Sequence, residues 1–319
     1  MMNRRRFMAA SLACALPAAH GQNTSFPLKP VTVICPWPAG GGTDTLLRAL
    51  VHEAERHLGY TIRVVNTTGG GGAVGHSAIT QARPDGYTLG MITFELNSLQ
   101  VQGQVPFTYR DFDPLMRINS DAAALTVRRD APFDNLREFI RFARSHPGEL
   151  TLGSSGAASV WHLAGGLFAA KAGIQVRHVP FDGAMSAVTA LLSGHIKAVS
   201  VSVPEVRAQV QAGNLRVLAV MDDKRDELFP DVPTFAEQGL PVSFSTWRGL
   251  ALPLGVPDET KARLTDAFKR AFDSPAFRES ARKASLNLDY QDGPEFARFL
   301  DRNYADVAAV MRALGLAKR

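Results

Sequence analysis

A glycine-rich loop near the start of the chain carries residue types suited to holding an anion. The run Pro36-Trp-Pro-Ala-Gly-Gly-Gly-Thr-Asp44 follows a short apolar segment and precedes a helical pattern. The first N–H groups of a helix lack a partner within it and carry partial positive charge. The candidate ligand contacts are Trp37, Ala39, Gly40, Gly41, Gly42, Thr43 and Asp44. A tight turn capped by Thr43 or Asp44 is the alternative interpretation.

A second glycine run, Asn66–Gly75, offers a different chemistry. It contains a formal G-x-G-x-x-G from Gly70 to Gly75, and Glu95 follows 20 residues later, as in dinucleotide-binding proteins. However, the match follows the second strand, and the export signal described below argues against a soluble nicotinamide cofactor. The first loop also lacks the lysine of a phosphate-binding G-x-x-x-x-G-K-[ST] motif. We therefore expect no cofactor.

A third loop, Leu152-Gly-Ser-Ser-Gly-Ala-Ala-Ser159, again joins a strand to a helix and is rich in hydroxyls. It is a second potential anion site, with candidates Ser154, Ser155, Gly156, Ala157, Ala158 and Ser159. A serine hydrolase would need a G-x-S-x-G elbow and an ordered Ser, acid and His set, which the sequence does not show. The histidines lack metal-ligand spacing. We expect neither catalytic residues nor a metal.

The first 22 residues have the composition of a secretory signal peptide, with a basic start, an apolar middle and a small-residue end. Arg4-Arg5-Arg6 also resembles a twin-arginine signal. Three of the five excess positive charges lie there, which leaves about +2 on the mature chain. This weak charge predicts no nucleic-acid partner. Cys35 is the one cysteine of the mature chain, and in a predicted strand it indicates inert core.

Strand-like and helix-like runs alternate along the rest of the chain, which predicts an α/β fold with parallel sheets and helices on both faces. The predicted strands include Val31–Cys35, Ala123–Val127 and Leu215–Val220, and the predicted helices include Leu136–Ser145 and Ala184–Leu192. The segment after Pro257 is predicted to be entirely helical and to pack on elements formed earlier. We expect two lobes, with crossings near Asn119–Leu125 and Ser245–Leu250. The predicted division is residues 1–22 as signal peptide, 23–121 with 250–319 as the first lobe, and 122–249 as the second. A ligand would lie between them.

Eight motifs in order, from GGGTD at Gly40 to Trp247-Arg-Gly-Leu250, carry a family resemblance over about residues 24 to 315. They include Ala82-Arg-Pro-Asp-Gly-Tyr-Thr-Leu89 and His178-Val-Pro-Phe-Asp-Gly183. The chain resembles the Bug family of periplasmic solute receptors of tripartite tricarboxylate transporters. The resemblance implies a two-lobed periplasmic-binding-protein type II fold. It also implies a small carboxylate ligand, held through backbone N–H groups, hydroxyls and bridging waters.

The sequence departs from the family pattern in three places. Ala39 stands where a proline usually precedes the glycines. Phe181 and Asp182 replace a tyrosine and a lysine, and Glu95 stands where a small or neutral residue is expected. An anion near a ligand carboxylate is costly unless a positive charge lies between them. One hypothesis is therefore that Glu95 or Asp182 faces a cationic group of the ligand. The alternative is that both are solvated loop charges.

The resulting prediction is a monomeric periplasmic receptor that delivers a small carboxylate, with or without nitrogen, to membrane permease subunits. Trp37 is expected either to stack on the ligand or to serve as a lid or core aromatic. A ligand sensor that docks on a signalling protein, and a secreted enzyme, are the alternative functions.

Overall fold

Short apolar strands alternate with amphipathic helices in the computed structural model, which describes residues 26–226 and 229–318. The predicted signal peptide, residues 1–22, lies outside the described residues. The strands are β1 (Val31–Cys35), β2 (Ile62–Asn66), β3 (Thr88–Thr93), β4 (Phe112–Arg128), β5 (Thr151–Ser154), β6 (Arg177–Pro180), β7 (Ala198–Ser202), β8 (Leu215–Val220), β9 (Ser245–Pro253) and β10 (Leu288–Asp292).

Most α-helices lie between consecutive strands in the chain and cover a face of a sheet. The α-helices are α1 (Gly42–Leu58), α2 (Ala73–Thr80), α3 (Glu95–Val101), α4 (Leu136–Ser145), α5 (Val160–Ala172), α6 (Ala184–Leu192), α7 (Val203–Gln211), α8 (Asp258–Asp273), α9 (Pro275–Lys283) and α10 (Gly293–Ala313). Within the described part of the chain, no helix is both long enough and apolar enough to cross a membrane.

Two groups of strands share β4. The first group has the order β2-β1-β3-β9-β4, and β10 pairs with the other edge of β4. In the second group β4 is followed by β7, β5 and β6, and β8 pairs with β4 as well. This arrangement of two sheet regions with flanking helices confirms the predicted α/β fold. The predicted lobe boundaries at 121 and 250 fall inside β4 and β9, which link the two groups.

The sheets are mixed, so the prediction of parallel sheets is only partly correct. β1 is parallel to β2 and β3, and β5 is parallel to β6 and β7. Every pairing made by β4 is antiparallel. Strand–helix–strand units produce the parallel neighbours, because the helix returns the chain to the same end of the sheet. β4 and β9 instead run in opposite directions between the two groups, so their pairing is antiparallel.

The prediction that the segment after Pro257 contains no strand is wrong. β10 pairs antiparallel with β4, with Leu288 opposite Asn119 and Asp292 opposite Met116. Its sequence, Leu-Asp-Tyr-Gln-Asp, has little apolar character because the strand lies at an edge and is only partly buried. An edge strand of this kind leaves little hydrophobic signal in the sequence.

Two layers of helices fix the first group of strands. On one face, α1, α8 and α9 contribute buried side chains that include Leu46, Leu50, Phe268 and Phe277. On the other face α2, α3 and α10 are packed, and this core continues under the second group of strands. The loops that leave β1, β3, β5 and β6 are therefore held on rigid elements.

Candidate ligand-binding site

A cavity of about 570 Å³, counting its opening to solvent, lies among the loops that follow β1, β3, β5, β6 and β7. Its wall combines backbone-rich, hydroxyl, aromatic and charged residues. The lining residues are Trp37, Pro38, Ala39, Gly41, Gly42, Thr43, Thr93, Glu95, Ser155, Val160, Trp161, Asp182, Gly183, Ala184, Met185, Ser186, Glu205, Thr246 and Arg248. This volume suits a small organic molecule.

The loop after β1 contributes the start of α1 to this wall. Helix α1 begins at Gly42, and no side chain hydrogen-bonds to its first turn from the cap residue Gly41. The N–H groups of Gly42 and Thr43 are therefore available to an acceptor beside Gly41, whose own N–H donates to Pro38 O at 3.4 Å. These three residues, Trp37 and Ala39 are predicted ligand contacts, and all five line the cavity.

Gly40 and Asp44 were also predicted contacts, but they lie outside the cavity wall. Asp44 Oδ2 accepts a hydrogen bond from Gly40 N–H at 2.9 Å, and Asn66 Nδ2 donates to Asp44 Oδ1 at 2.9 Å. Burial acts to raise the pKa of Asp44, but hydrogen bonds from Arg48 and Gly40 outweigh it and leave the pKa lowered. Asp44 thus shapes the loop through these hydrogen bonds and does not line the cavity.

Trp37 is half-buried and lies over the cavity, where its Nε1 donates to Thr93 Oγ1 at 3.2 Å. The second glycine run lies behind it. A Cβ on Gly75 would come within 2.6 Å of both Pro36 Cα and Thr67 O, and one on Gly72 would come within 3.6 Å of Trp37 Cζ2. The formal dinucleotide fingerprint is therefore a close-packing motif that lets α2 approach the Trp37 loop.

Glu95 begins α3 and is buried, with 3% of its surface exposed. Thr93 Oγ1 donates to Glu95 Oε2 at 2.8 Å, and the N–H of Val160, at the start of α5, donates to Oε1 at 3.2 Å. Burial raises the pKa of Glu95, although these two hydrogen bonds and the charge of Arg248 oppose that shift. Glu95 is therefore not a solvated loop charge. It joins the first group of strands to a helix of the second.

The loop after β5 contributes less to the main cavity than its sequence suggests. Ser155 lines it, whereas Gly156, Ala157, Ala158, Ser159 and Phe181 line an adjoining cavity of about 560 Å³ that shares Glu95, Ser155 and Asp182. Ser154 is buried and lines neither cavity; its Oγ donates to Gly156 O.

The polar atoms of this loop are largely used within the loop. Ser159 Oγ accepts from His162 N–H, and Ala158 N–H donates to His162 Nδ1 at 2.8 Å. Val160 N–H, at the helix start expected to hold an anion, donates to the Glu95 carboxylate. The chain therefore supplies its own anion at the predicted second-lobe anion site.

Asp182 is exposed and contributes to the rim where the two cavities meet. Its backbone oxygen accepts from Ser186 Oγ at 3.1 Å. The alternative interpretation of a solvated loop charge therefore still applies to Asp182, although it no longer applies to Glu95.

Arg248, in β9, was not predicted as a site residue, although Trp247-Arg-Gly-Leu250 had been noted as a motif. It is 3% exposed and lines the cavity. Its Nε donates to Thr43 Oγ1 at 2.9 Å, and Nη1 donates to Asp121 Oδ2 at 2.5 Å. No described residue accepts a hydrogen bond from Nη2. The charge of Arg248 between Trp247 and the apolar end of β9 was the one signal in the sequence.

Glu205 was also missed. It lies in the first turn of α7, where its Oε2 accepts from both the N–H and the Oγ of Ser202 at 3.0 Å. Burial raises the pKa of Glu205, and the nearby charge of Arg248 opposes this. The Ser-x-x-Glu spacing predicts a capping box and gives no indication of a cavity.

The arrangement does not provide a nucleophile or a metal centre among the described residues. No group of three metal-ligating side chains occurs there. Burial raises the pKa of the Cys35 thiol to about 11, so the thiolate needed for nucleophilic attack does not form at neutral pH. His162 contacts Ala158 N–H and the ring of His178, and neither contact forms a serine-activating set.

Comparison with known proteins identifies the family. A family model described as tripartite tricarboxylate transporter family receptor (TctC) matches residues 46–316. A Cupriavidus necator protein named UPF0065 protein in gbd 5'region is 32% identical over 326 residues, which cover 99% of each chain.

Two solved structures share the fold. A TctC solute binding protein from Polaromonas is 35% identical with a TM-score of 0.70, covering 91% of this chain and all of that one. MatC from Rhodopseudomonas palustris, solved with bound malate, is 26% identical with a TM-score of 0.84, covering 89% and 99%. The chain therefore belongs to the TctC family of tripartite tricarboxylate transporter receptors, which are solute-binding proteins and not enzymes.

Proposed function

We propose that this chain is a monomeric periplasmic receptor that captures a small nitrogen-bearing carboxylate between two lobes. It would pass this ligand to the membrane permease subunits of a tripartite tricarboxylate transporter. The family supports the receptor and transporter parts of the proposal, since receptors of this kind supply a permease. The twin-arginine-like N-terminus supports export. The lobes would be residues 23–121 with 250–319, and residues 122–249.

The carboxylate end of the ligand has suitable donors at the start of α1. The first-turn N–H groups lack a side-chain cap, and Arg248 Nη2 lies beside them. Such donors stabilise an anion through hydrogen bonds and the helix dipole. MatC, the relative solved with malate, binds a carboxylate as well.

The nitrogen is proposed from the charges of this chain's own cavity. Three carboxyl side chains, those of Glu95, Asp182 and Glu205, line the wall. Among the described lining residues, Arg248 has the one guanidinium or ammonium group, and it is already paired with Asp121. When these carboxyls are ionised they repel a ligand that carries only carboxylates, whereas a cationic or N–H group of the ligand can pair with them. This excess of carboxyls carries the proposal.

Thermal unfolding of the mature protein with paired ligands at ~1 mM tests the proposal. The pairs are succinate and L-aspartate, glutarate and L-glutamate, and benzoate and 2-aminobenzoate, and the second member of each pair adds one amino group. A ligand with micromolar Kd should add about 4 kcal/mol to the free energy of unfolding, which moves the midpoint by several degrees. We expect the nitrogen-bearing member to give the larger shift.

Two variants test the hypothesis that Glu95 or Asp182 faces the cationic group. Glu95→Gln and Asp182→Asn each remove one charge with little change in shape. A variant with unchanged affinity for the preferred ligand excludes that residue. Larger shifts with succinate, glutarate and benzoate would contradict the nitrogen-bearing ligand and leave the receptor assignment intact.

Transport is tested separately by uptake of the labelled ligand in cells with and without the gene. We expect uptake at micromolar concentration to be lost in the deletion strain and restored by the wild-type gene. Unchanged uptake in cells that still respond to the ligand would favour the sensor alternative.

A further inference from the structure

Arg248 and Glu205 each present an unpaired polar atom to the same part of the cavity. The Nε and Nη1 atoms of Arg248 are fixed by Thr43 and Asp121, whereas Nη2 has no acceptor among the described residues. In Glu205 both hydrogen bonds from Ser202 reach Oε2, and no described residue donates to Oε1. The cavity therefore contains one free donor and one free acceptor.

Both atoms point to the start of α1. A Cβ on Gly42 would lie 3.1 Å from Arg248 Nη2 and 3.6 Å from Glu205 Oε1. The two atoms are therefore at most 6.7 Å apart, the sum of those distances. The two side chains form no ion pair, for which N···O would be 4.0 Å or less. The gap is too wide for direct contact but is spanned by a ligand group with two hydrogen bonds of about 2.9 Å.

The other carboxyls of the wall are less suited to receive a ligand N–H. Both oxygens of Glu95 already accept hydrogen bonds, from Thr93 and from Val160. Asp182 is exposed at the rim, where water competes for it. Glu205 combines a free oxygen, a position beside a buried guanidinium and an adjacent glycine that leaves space for a ligand.

We propose that Arg248 and Glu205 together select the ligand. Arg248 Nη2 donates to a ligand oxygen, and Glu205 Oε1 accepts from a ligand N–H close to that oxygen. The group recognised is an amino carboxylate or a carboxamide. This assignment rests on the proposed function and identifies the atoms that would give it specificity. Because Glu205 belongs to α7 and Gly42 to α1, a ligand in the gap also links the two groups of strands.

The test is the Glu205→Gln variant, with Kd values measured by titration calorimetry for L-aspartate and succinate at pH 7.5. The glutamine carbonyl can still accept from Ser202, so the amide NH2 then faces the gap and turns the free acceptor into a donor. We expect the ratio of the two Kd values to change at least tenfold in favour of succinate. The glutamate/glutarate and 2-aminobenzoate/benzoate pairs are measured in the same way.

Glu295→Gln is the control, since Glu295 forms the same kind of capping box with Asp292 at the start of α10 and does not line the cavity. It should leave every ratio unchanged. If Glu205→Gln also leaves the ratios unchanged, the assignment of Glu205 is wrong even though the proposed function stands.

Two further outcomes separate the inference from the proposed function. If the wild type prefers succinate and Glu205→Gln tightens it further, the nitrogen-bearing ligand is wrong but Glu205 faces the ligand. If the wild type binds none of the six compounds, both proposals are contradicted.

Discussion

The buried cation Arg248 connects the stability of this protein with its proposed specificity. Its partner Asp121 is 1% exposed and also accepts from Asn119 Nδ2 and from Asn287 N–H. Burial of two charges is tolerable only when they remain paired and hydrogen-bonded. The pair thus holds the guanidinium in place and leaves one of its nitrogens free for the cavity.

Replacement of Arg248 by Gln should therefore destabilise the protein even without ligand. It leaves Asp121 buried without its cation, and we expect a loss of about 3 kcal/mol in the free energy of unfolding. Arg248→Lys keeps the charge and should lose less. Urea unfolding of both variants measures the difference, and equal stability of Arg248→Gln and wild type would show that the ion pair is not needed.

Among individual residues, the sequence predicted the cavity-lining residues that lie together in the loop after β1. Trp37, Gly42 and Thr43 lie between a strand and a helix, so local pattern alone places them at a sheet edge. Arg248 and Glu205 required knowledge of tertiary structure. Only the pairing of β4 with β9 brings Asp121 near Arg248, and a capping glutamate has the same local sequence whether or not it faces a cavity.

At the scale of elements, the sequence pattern predicted short buried strands and amphipathic helices well. β1, β8, α4 and α6 have the predicted bounds. β4 was predicted only at Ala123–Val127, because Pro114 and the polar residues between Arg117 and Asp121 interrupt its apolar character. These residues still form a strand because β9 and β10 supply partners on both edges.

Replacement of Gly75 by Ala tests whether the close packing of α2 against the Trp37 loop stabilises the protein. In Gly75→Ala the new Cβ meets backbone atoms of Pro36 and Thr67 at 2.6 Å, so one element must shift. We expect a net loss of about 1–3 kcal/mol in the free energy of unfolding, despite the better helix propensity of alanine. Urea unfolding measures it.

Val74→Ala is the control for this prediction, since Val74 is an exposed neighbour in the same helix. Its effect should stay within about 0.5 kcal/mol. If Gly75→Ala is as stable as the control, the loops that contain Pro36 and Thr67 can move apart to make room for the new Cβ.

For the molecule as a whole, stability should depend on pH through His76, which is fully buried. Burial lowers its pKa from 6.5 to about 3, so the unfolded chain binds a proton that the folded chain does not. The contribution of His76 is therefore fully present above pH 6.5 and is lost as the pH falls toward 3. At pH 5 the loss is about 2 kcal/mol relative to pH 7.

Urea unfolding at pH 7 and pH 5 measures this contribution as the difference between wild type and His76→Gln. The variant should lose less stability on acidification. His57→Gln, at an exposed position, is the control and should follow the wild type. Parallel pH profiles for all three proteins would contradict the role given to His76.

The pairing of β4 with β9 has a consequence for how such proteins diversify. Ala122 lies opposite Ser245, so the intervening segment of the chain leaves and rejoins the first group of strands at neighbouring positions on one ladder. That segment is topologically an insertion, and its two junctions are a few ångströms apart. An exchange of this segment between homologues would therefore cut the chain at two neighbouring positions. Recombination there would combine Trp37, Gly42 and Arg248 with a new counterpart of Glu205, producing a new specificity without a new fold.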